Sequence, residues 1–321
     1  MVLRGGVRLL AMFAALAWMT SFGEAFAAEP VAVITEIRAT HGLVQMKRAG
    51  EAEWRPIQPL LALRSGDELR VTGDGQAVVV FRGGRGPKTV TAANSPLVIE
   101  APQVEPIRER LHRVLRTAFD LLLATEKARD TNPFGVRHGG LPLVAMLSPR
   151  STVVFPGPVV FEWDGPDLGS YRVRVSGPQG PLWEAANLPR KLLHYPKAAP
   201  PLSPGARYVW ELETAGYPAQ YAEFDVLSDE AAARIRSDLD LLAPSTLQNY
   251  PPSTVVVMRG ALLLRERLHA QARQELLQGI AANPEDPTPH FLLGEVYDLI
   301  GLPELASGEL LKARDLSHGR P

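Results

Sequence analysis

The sequence has no cysteine, and that absence removes disulfide frameworks, thiolate zinc sites, iron–sulfur clusters and cysteine nucleophiles. It also lacks an excess of charge of either sign, because 34 Lys and Arg stand against 35 Asp and Glu. Without a broad positive field there is little to neutralise phosphates, so nucleic acid is not an expected partner. Histidines are few and scattered, at 41, 112, 138, 194, 269, 290 and 318. No spacing converges them on a metal, so each is expected at a surface or a helix end. The chain contains no Gly-x-Ser-x-Gly, no phosphate-cradling Gly-x-x-x-x-Gly-Lys and no His-Glu-x-x-His, and the glycines at 83, 84 and 86 open no helix. No catalytic residue, cofactor or metal ligand is therefore expected, and the chain reads as a non-enzyme.

What is present is punctuation. Twenty-nine prolines and 27 glycines accompany 45% apolar residues, too hydrophobic for a disordered linker but rich in helix breakers. That balance implies short strands joined by turns, with helices confined to particular stretches. A length of 321 residues allows two or three domains of ~100–150 residues each.

The first 27 residues read as an export signal. Arg4 and Arg8 precede the apolar run Leu9 to Phe22, and Ala25-Phe26-Ala27 supplies a small-residue cleavage site. The run of about 14 residues is short against the ~20 that span a bilayer, so a mature chain beginning at Ala28 is expected. No later segment is long and apolar enough to span, and export of a cysteine-free chain suits a bacterial periplasm.

Residues 28–103 are expected to form a small all-β unit. Val31 and Val33, Leu43 and Val44, Leu69 and Val71, Ala77 to Phe81, Val90, and Leu97 to Ile99 are short apolar runs. Ser65-Gly66-Asp67 and Gly73-Asp74-Gly75 supply turns between them. The order Thr40-His41-Gly42-Leu43-Val44, Leu63 to Thr72 with Ser65-Gly66-Asp67 inside it, then Gly75-Gln76-Ala77 to Phe81 resembles the periplasmic FecR-like domain. In that family a Gly-x-Val strand precedes a Leu-x-x-Gly-Asp turn and a Gly-x-Ala-x-x-x-Phe strand. Regulators of that family carry a cytoplasmic segment and a membrane span ahead of the domain, whereas only a signal peptide is read here. Gly66-Asp67 is expected to serve as a hairpin turn rather than a ligand site.

Residues 104–140 change period. Ile107, Leu111, Val114, Leu115, Ala118, Leu121, Leu122 and Thr125 mark one face of an amphipathic helix over Glu105–Arg129, which should pack against a β domain. Arg108, Arg110, Arg113 and Arg116 make its first half basic, read as a solvated face. Asn132 to Gly140 reads as a linker.

Residues 141–227 return to strands, with Phe161/Trp163, Tyr171/Val173/Val175 and Tyr208/Trp210/Leu212 each alternating with polar residues. Trp163 on an early strand and Leu202-Ser203-Pro204-Gly205-Ala206-Arg207-Tyr208 before a later one resemble fibronectin type III and immunoglobulin-like sandwiches. That resemblance implies a corner in which the Tyr208 hydroxyl bonds back to the chain. Alternation places Trp163, Tyr208 and Trp210 in a core rather than on a sugar-stacking surface.

Residues 228–321 read as helical. Ser228 is an expected N-cap for Asp229–Leu242, and Pro244 ends that helix. Setting Pro284 at the close of a ~34-residue repeat puts Gly260, Leu263, Ala272, Leu276 and Gly279 at helix-crossing positions. One period on stand Leu293-Gly294, Tyr297, Gly301, Ala306 and Ala313. This resembles tetratricopeptide repeats over 253–286 and 287–320, with Arg267 in place of the turn glycine. Position by position, the resemblance puts Val257, Ala261, Leu264, Phe291, Glu295 and Asp298 on a concave partner-binding face. An exposed Phe291 beside two acids would suit a peptide with an apolar anchor and basic neighbours. Packing of that face against the sandwich or a capping helix is the alternative.

The fold class so read is multidomain α+β, made of a FecR-like all-β domain, a connecting helix, an immunoglobulin-like sandwich and C-terminal helical hairpins. The expected function is that of a periplasmic binding or scaffold protein for envelope proteins, peptides or cell-wall polymer. An envelope signalling component with the FecR-like domain as sensor is the alternative. A polysaccharide-active hydrolase built on acids such as Glu162, Asp164 and Asp167 is a lesser one.

Overall fold

The structure, a computed structural model, describes residues 29–39, 41–82, 86–100, 109–131, 144–166, 170–189 and 191–317. The side chains of the helix over 109–131 are described as far as 124. The expected export signal and 132–140 linker, with Thr40, Ile107, Arg108, Thr125, His138, Asp167 and His318, fall outside them. The described residues are mixed α+β, with β-sheets in the N-terminal two-thirds and a helical cluster at the C-terminal end.

The first β unit contains β1 (Ala32–Arg38), β2 (Leu43–Lys47), β3 (Arg55–Pro56), β4 (Ala62–Leu63), β5 (Glu68–Thr72), β6 (Gln76–Phe81), β7 (Lys88–Thr91) and β8 (Leu97–Val98). They form two four-stranded sheets, ordered β4-β1-β6-β7 and β3-β2-β5-β8. β2 and β5 alternate buried and open positions, as a half-covered sheet does. β1 and β6 do not alternate. Both are buried along nearly their whole length, because Ile34, Ala77 and Val79 face the unit's own core while Val33 and Val80 join the helical core. The unbroken apolar run Val78 to Phe81 follows from this cover on two faces.

Gly66-Asp67 is a structural turn. Gly66 has φ 86°, and the buried carboxylate of Asp67 accepts from Arg64 N (2.8 Å), Ala49 N (3.2 Å) and the Arg48 guanidinium (2.7 Å). Asp67→Ala leaves two amides without their acceptor and the half-buried Arg48, which keeps its bond to the Ala62 carbonyl, without its counter-ion. It is expected to cost the first β unit ~3 kcal/mol, measured as earlier loss of β2 and β5 amide protection in urea.

The second β unit contains β9 (Ala145–Ser148), β10 (Thr152–Val154), β11 (Val160–Asp164), β12 (Tyr171–Gly177), β13 (Gly180–Leu188), β14 (Leu192–His194), β15 (Arg207–Thr214) and β16 (Gln220–Val226). A five-stranded sheet, β10-β16-β15-β12-β13, faces a three-stranded sheet, β14-β11-β9. Trp163, Trp210, Tyr171, Phe161 and Phe224 fill the space between them, with Phe161 5.1 Å from Trp210 and Trp163 5.4 Å from Tyr171 by ring centroid. Ser203 N donates to the Tyr208 hydroxyl at 2.7 Å, the bond back to the chain expected of a tyrosine at that corner.

The helices are α1 (Glu109–Thr131), α2 (Asp229–Leu241), α3 (Pro252–Arg265), α4 (His269–Ala282), α5 (Pro287–Leu299) and α6 (Pro303–Ser317). The Ser228 side chain caps α2 by accepting from Ala231 N. α3/α4 and α5/α6 are antiparallel hairpins, and glycine stands where helices cross. A Cβ on Gly260 would meet Leu276 at 3.1 Å, one on Gly279 Val256 at 2.6 Å, and one on Gly294 Leu310 at 2.7 Å. At the hairpin turns, Gly301 (φ 74°) and Arg267 (φ 60°) both take the left-handed conformation, which arginine adopts only at a cost.

The parts are interlocked. The Arg267 carbonyl accepts from Val153 N (2.9 Å) and the Thr152 hydroxyl (3.1 Å), and Arg150 donates to the Ile300 carbonyl (2.6 Å). The turns of both hairpins thus rest on the second β unit. The expectation that α1 packs on a β domain is corrected in its main contact. α1 lies chiefly along α3, with β1 and α2 beside it, since its stripe of Val114, Leu115, Ala118, Phe119 and Leu122 joins the core of the hairpins.

Candidate functional site

The six residues assigned to a concave partner face lie on α3 and α5, but the face is already covered. Val257, Ala261, Leu264 and Phe291 are buried, Phe291 to 4% exposure. Glu295 is half-buried, and only Asp298 is exposed. The expectation of an exposed Phe291 is corrected for a physical reason. Two hairpins leave one broad apolar face, and the chain covers it with α1 along α3 and with β1 across α3 and α5. Of the alternatives stated from sequence, packing against the sandwich or a capping helix, it is a helix, α1, together with β1, that covers the face.

Two of the histidines expected at surfaces or helix ends stand in the first turns of helices and are buried there. His269 opens α4 but is buried, with Nδ1 2.9 Å from the Ser151 carbonyl, and burial lowers its pKa. His290 lies in the first turn of α5, is 1% exposed, and its Nδ1 is 2.6 Å from Glu309.

Where β1 meets the start of α5, polar groups collect in a dry place. Thr35 and Glu36 on β1, Thr254 on α3, and Asp286, Thr288 and His290 at the start of α5 are all buried. The Thr35 and Thr254 hydroxyls share a hydrogen bond of 3.1 Å. Asp286 is the N-cap of α5 and accepts from Thr288 N at 3.0 Å. Glu36 forms an ion pair with Arg38 at 2.6 Å. Oε1 and Oε2 of Glu36, Oδ2 of Asp286, Oγ1 of Thr288 and Nε2 of His290 have no hydrogen-bond partner among the described residues. Burial, reinforced by the nearby Glu36, pushes the Asp286 carboxyl up to about 7 against the pull of the Thr288 N–H and of the Thr288 and Ser253 hydroxyls. Burial likewise raises Glu36, and Arg38 opposes it. No group of three or more His, Asp or Glu side chains suited to a metal occurs among the described residues.

This junction was not legible in the sequence. Glu36 reads as the polar position of an alternating strand and Asp286 as a cap. The one available signal was the two-sided apolar run of β6, which implies that its neighbour β1 is also covered on both faces. Of the acids considered for hydrolysis, Glu162 and Asp164 are engaged elsewhere. Arg273 holds Glu162 through two contacts of 2.7 and 3.2 Å, and Lys191 meets Asp164 at 3.2 Å. A surface depression of about 390 Å³ lies at one end of the second β unit, where Arg172 is ion-paired with Glu213 at 3.5 Å.

No family model matches the sequence, and no curated protein matches it at a significant level. Among solved structures, a polysaccharide lyase aligns over 78% of this chain and 46% of its own length, with 12% identity and a TM-score of 0.19. The chain spans under half of that protein, and an overlap of this size carries neither a fold nor an activity across.

Proposed function

We propose that the protein is a non-enzymatic periplasmic binding or scaffold protein, built from a FecR-like β unit, an immunoglobulin-like sandwich and two tetratricopeptide-like hairpins. The observation that supports this most is that the hairpin face is shaped to hold a helix and holds one. The apolar stripe of α1 is fully buried in the core that contains Val257 and Ala261. One arginine of α1 meets an acid of its neighbour, Arg110 with Asp238 of α2 at 3.0 Å. The expected partner presents the same chemistry, an amphipathic helix with basic residues beside its apolar stripe. It would take the place of α1 or extend along the α5 end of the face, where Asp298 and Leu299 are exposed.

Site-specific photocrosslinking in the native envelope tests this. A crosslinker at Asp298 is expected to capture a discrete envelope protein, and one at the exposed Tyr221 on the second β unit is not. Phe119→Asp, which unseats α1, is expected to raise capture at Asp298 several-fold. Identical adducts at both positions, or none at Asp298, would remove the hairpin face from the function.

A signalling role is the second reading, and one observation favours it. The first β unit is not an independent bead, because β1 is packed on α3 and α5, so a ligand on that unit and a partner on the helices would act on one shared contact. Loss of an envelope-stress transcriptional response on deletion is the corresponding measurement.

A further inference from the structure

The cover over the hairpin face is held down at a place that is poor for holding two negative charges. Glu36 and Asp286 come from different modules, β1 and the start of α5, and are 1% and 0% exposed. Both carboxylate oxygens of Glu36 and one of Asp286 are without a hydrogen bond among the described residues. The groups around them are few. On β1 there is Arg38, ion-paired with Glu36 and itself half-exposed. α3 offers the neutral Ser253, whose hydroxyl hydrogen-bonds the Asp286 carboxyl and favours its charge, and Thr254, and the turn before α5 offers Asn283 and the exposed Glu285. On α5 His290 is turned to Glu309 of α6. Arg38 pairs with Glu36, and among the described residues the Asp286 charge has no counter-ion in a place with little water to solvate it.

We propose that the contact between β1 and the start of α5 is a proton-dependent latch, which closes the first β unit and α1 over the hairpin face when the Glu36–Asp286 pair holds a proton and loosens when both are ionised. The proposal rests on the reading of that face as the binding surface and names what regulates its exposure. The sign follows from the carboxyl held at about 7 in the closed state against an ordinary aspartate near ~4 once opened. The closed state binds the proton more tightly, so closure is strongest below the ordinary value. It weakens as pH rises from there and is weakest above about 7. An acidic envelope would hold the face shut, and a neutral one would make it available to a partner helix.

The test is amide exchange on the isolated full-length protein from pH 5 to 8, corrected for intrinsic exchange, with no partner present. Opening of β1, α3 and α5 is expected to rise up to roughly tenfold per pH unit between pH 5 and 6.5 and to level off above 7. β15 in the second unit serves as an internal control and is expected not to change. Asp286→Asn keeps an N-cap acceptor but cannot ionise, so it is expected to flatten the profile in the protected state, and Glu36→Gln to reduce its slope. A flat wild-type profile, an unchanged slope in both variants, or equal loss of protection in β15 would each overturn the latch. The result is independent of photocrosslinking, because a latch that titrates without any captured partner would leave the latch standing and remove the binding role.

Discussion

Gly42→Ala is expected to lose about 3 kcal/mol of stability in the first β unit, toward the top of the usual overpacking range. A Cβ at this position would lie 2.6 Å from the backbone N of Gly75 and closer still to the carbonyl oxygen of Thr72. Both are backbone atoms of the β5–β6 hairpin, and that hairpin is tied in place. Gly75 N donates to Thr72 O, His41 N donates to the Asp74 carboxylate at 2.9 Å, and Leu43 pairs with Thr72 across the β2–β5 ladder. No side chain can swing aside to relieve the clash, so the strand and the turn must separate. Urea denaturation followed by exchange at β2 and β5 measures the loss. A midpoint within error of wild type would mean that the loop carrying His41 relaxes at little cost. Gly42 opens a Gly-x-Val segment, and the experiment also shows why a glycine is required there: two stretches of backbone touch.

Trp210→Ala is the second large effect, expected to destabilise the second β unit by ~4 kcal/mol. The indole is fully buried between the two sheets, with Phe161 against it, and its Nε1–H donates to the Pro149 carbonyl at 2.6 Å. Trp210→Phe separates the contributions, since it keeps most of the ring volume but strands that carbonyl, at ~1–2 kcal/mol. Because Arg150 and Ser151 follow Pro149 and reach the Ile300 carbonyl and His269 of the hairpins, loosening here should spread. Protection at the start of α4 is expected to fall with that of β15 in Trp210→Ala and to persist in Trp210→Phe.

How far the sequence could be read varies by segment. Strand alternation in β12 and β15 was fully legible, because a sheet with one wet face writes its core into every second residue. Tyr171, Val173, Val175, Tyr208, Trp210 and Leu212 are the buried side as expected. The small residues of the hairpins were legible for a similar reason, since Gly260, Gly279 and Gly294 mark places where helices touch whatever lies elsewhere. The candidate site was not. Phe291 was expected outside because a concave face with no visible partner looks free, and it lies inside because α1 and β1 arrive from more than 150 residues earlier in the chain.

The sequence alone thus determined the kinds of element, their order and the chemistry that zero cysteines leave out, all of which depend on local periods, turns and residue types. Which face covers which was decided only by the tertiary structure. Burial of apolar surface has no direction and no address, so a stripe such as that of α1 states that it must be covered without stating by what. The pairing of Glu36 with Asp286 belongs to the same class. Each is an ordinary polar residue in its own element, and only the docking of β1 on α5 removes their water and makes their charge matter.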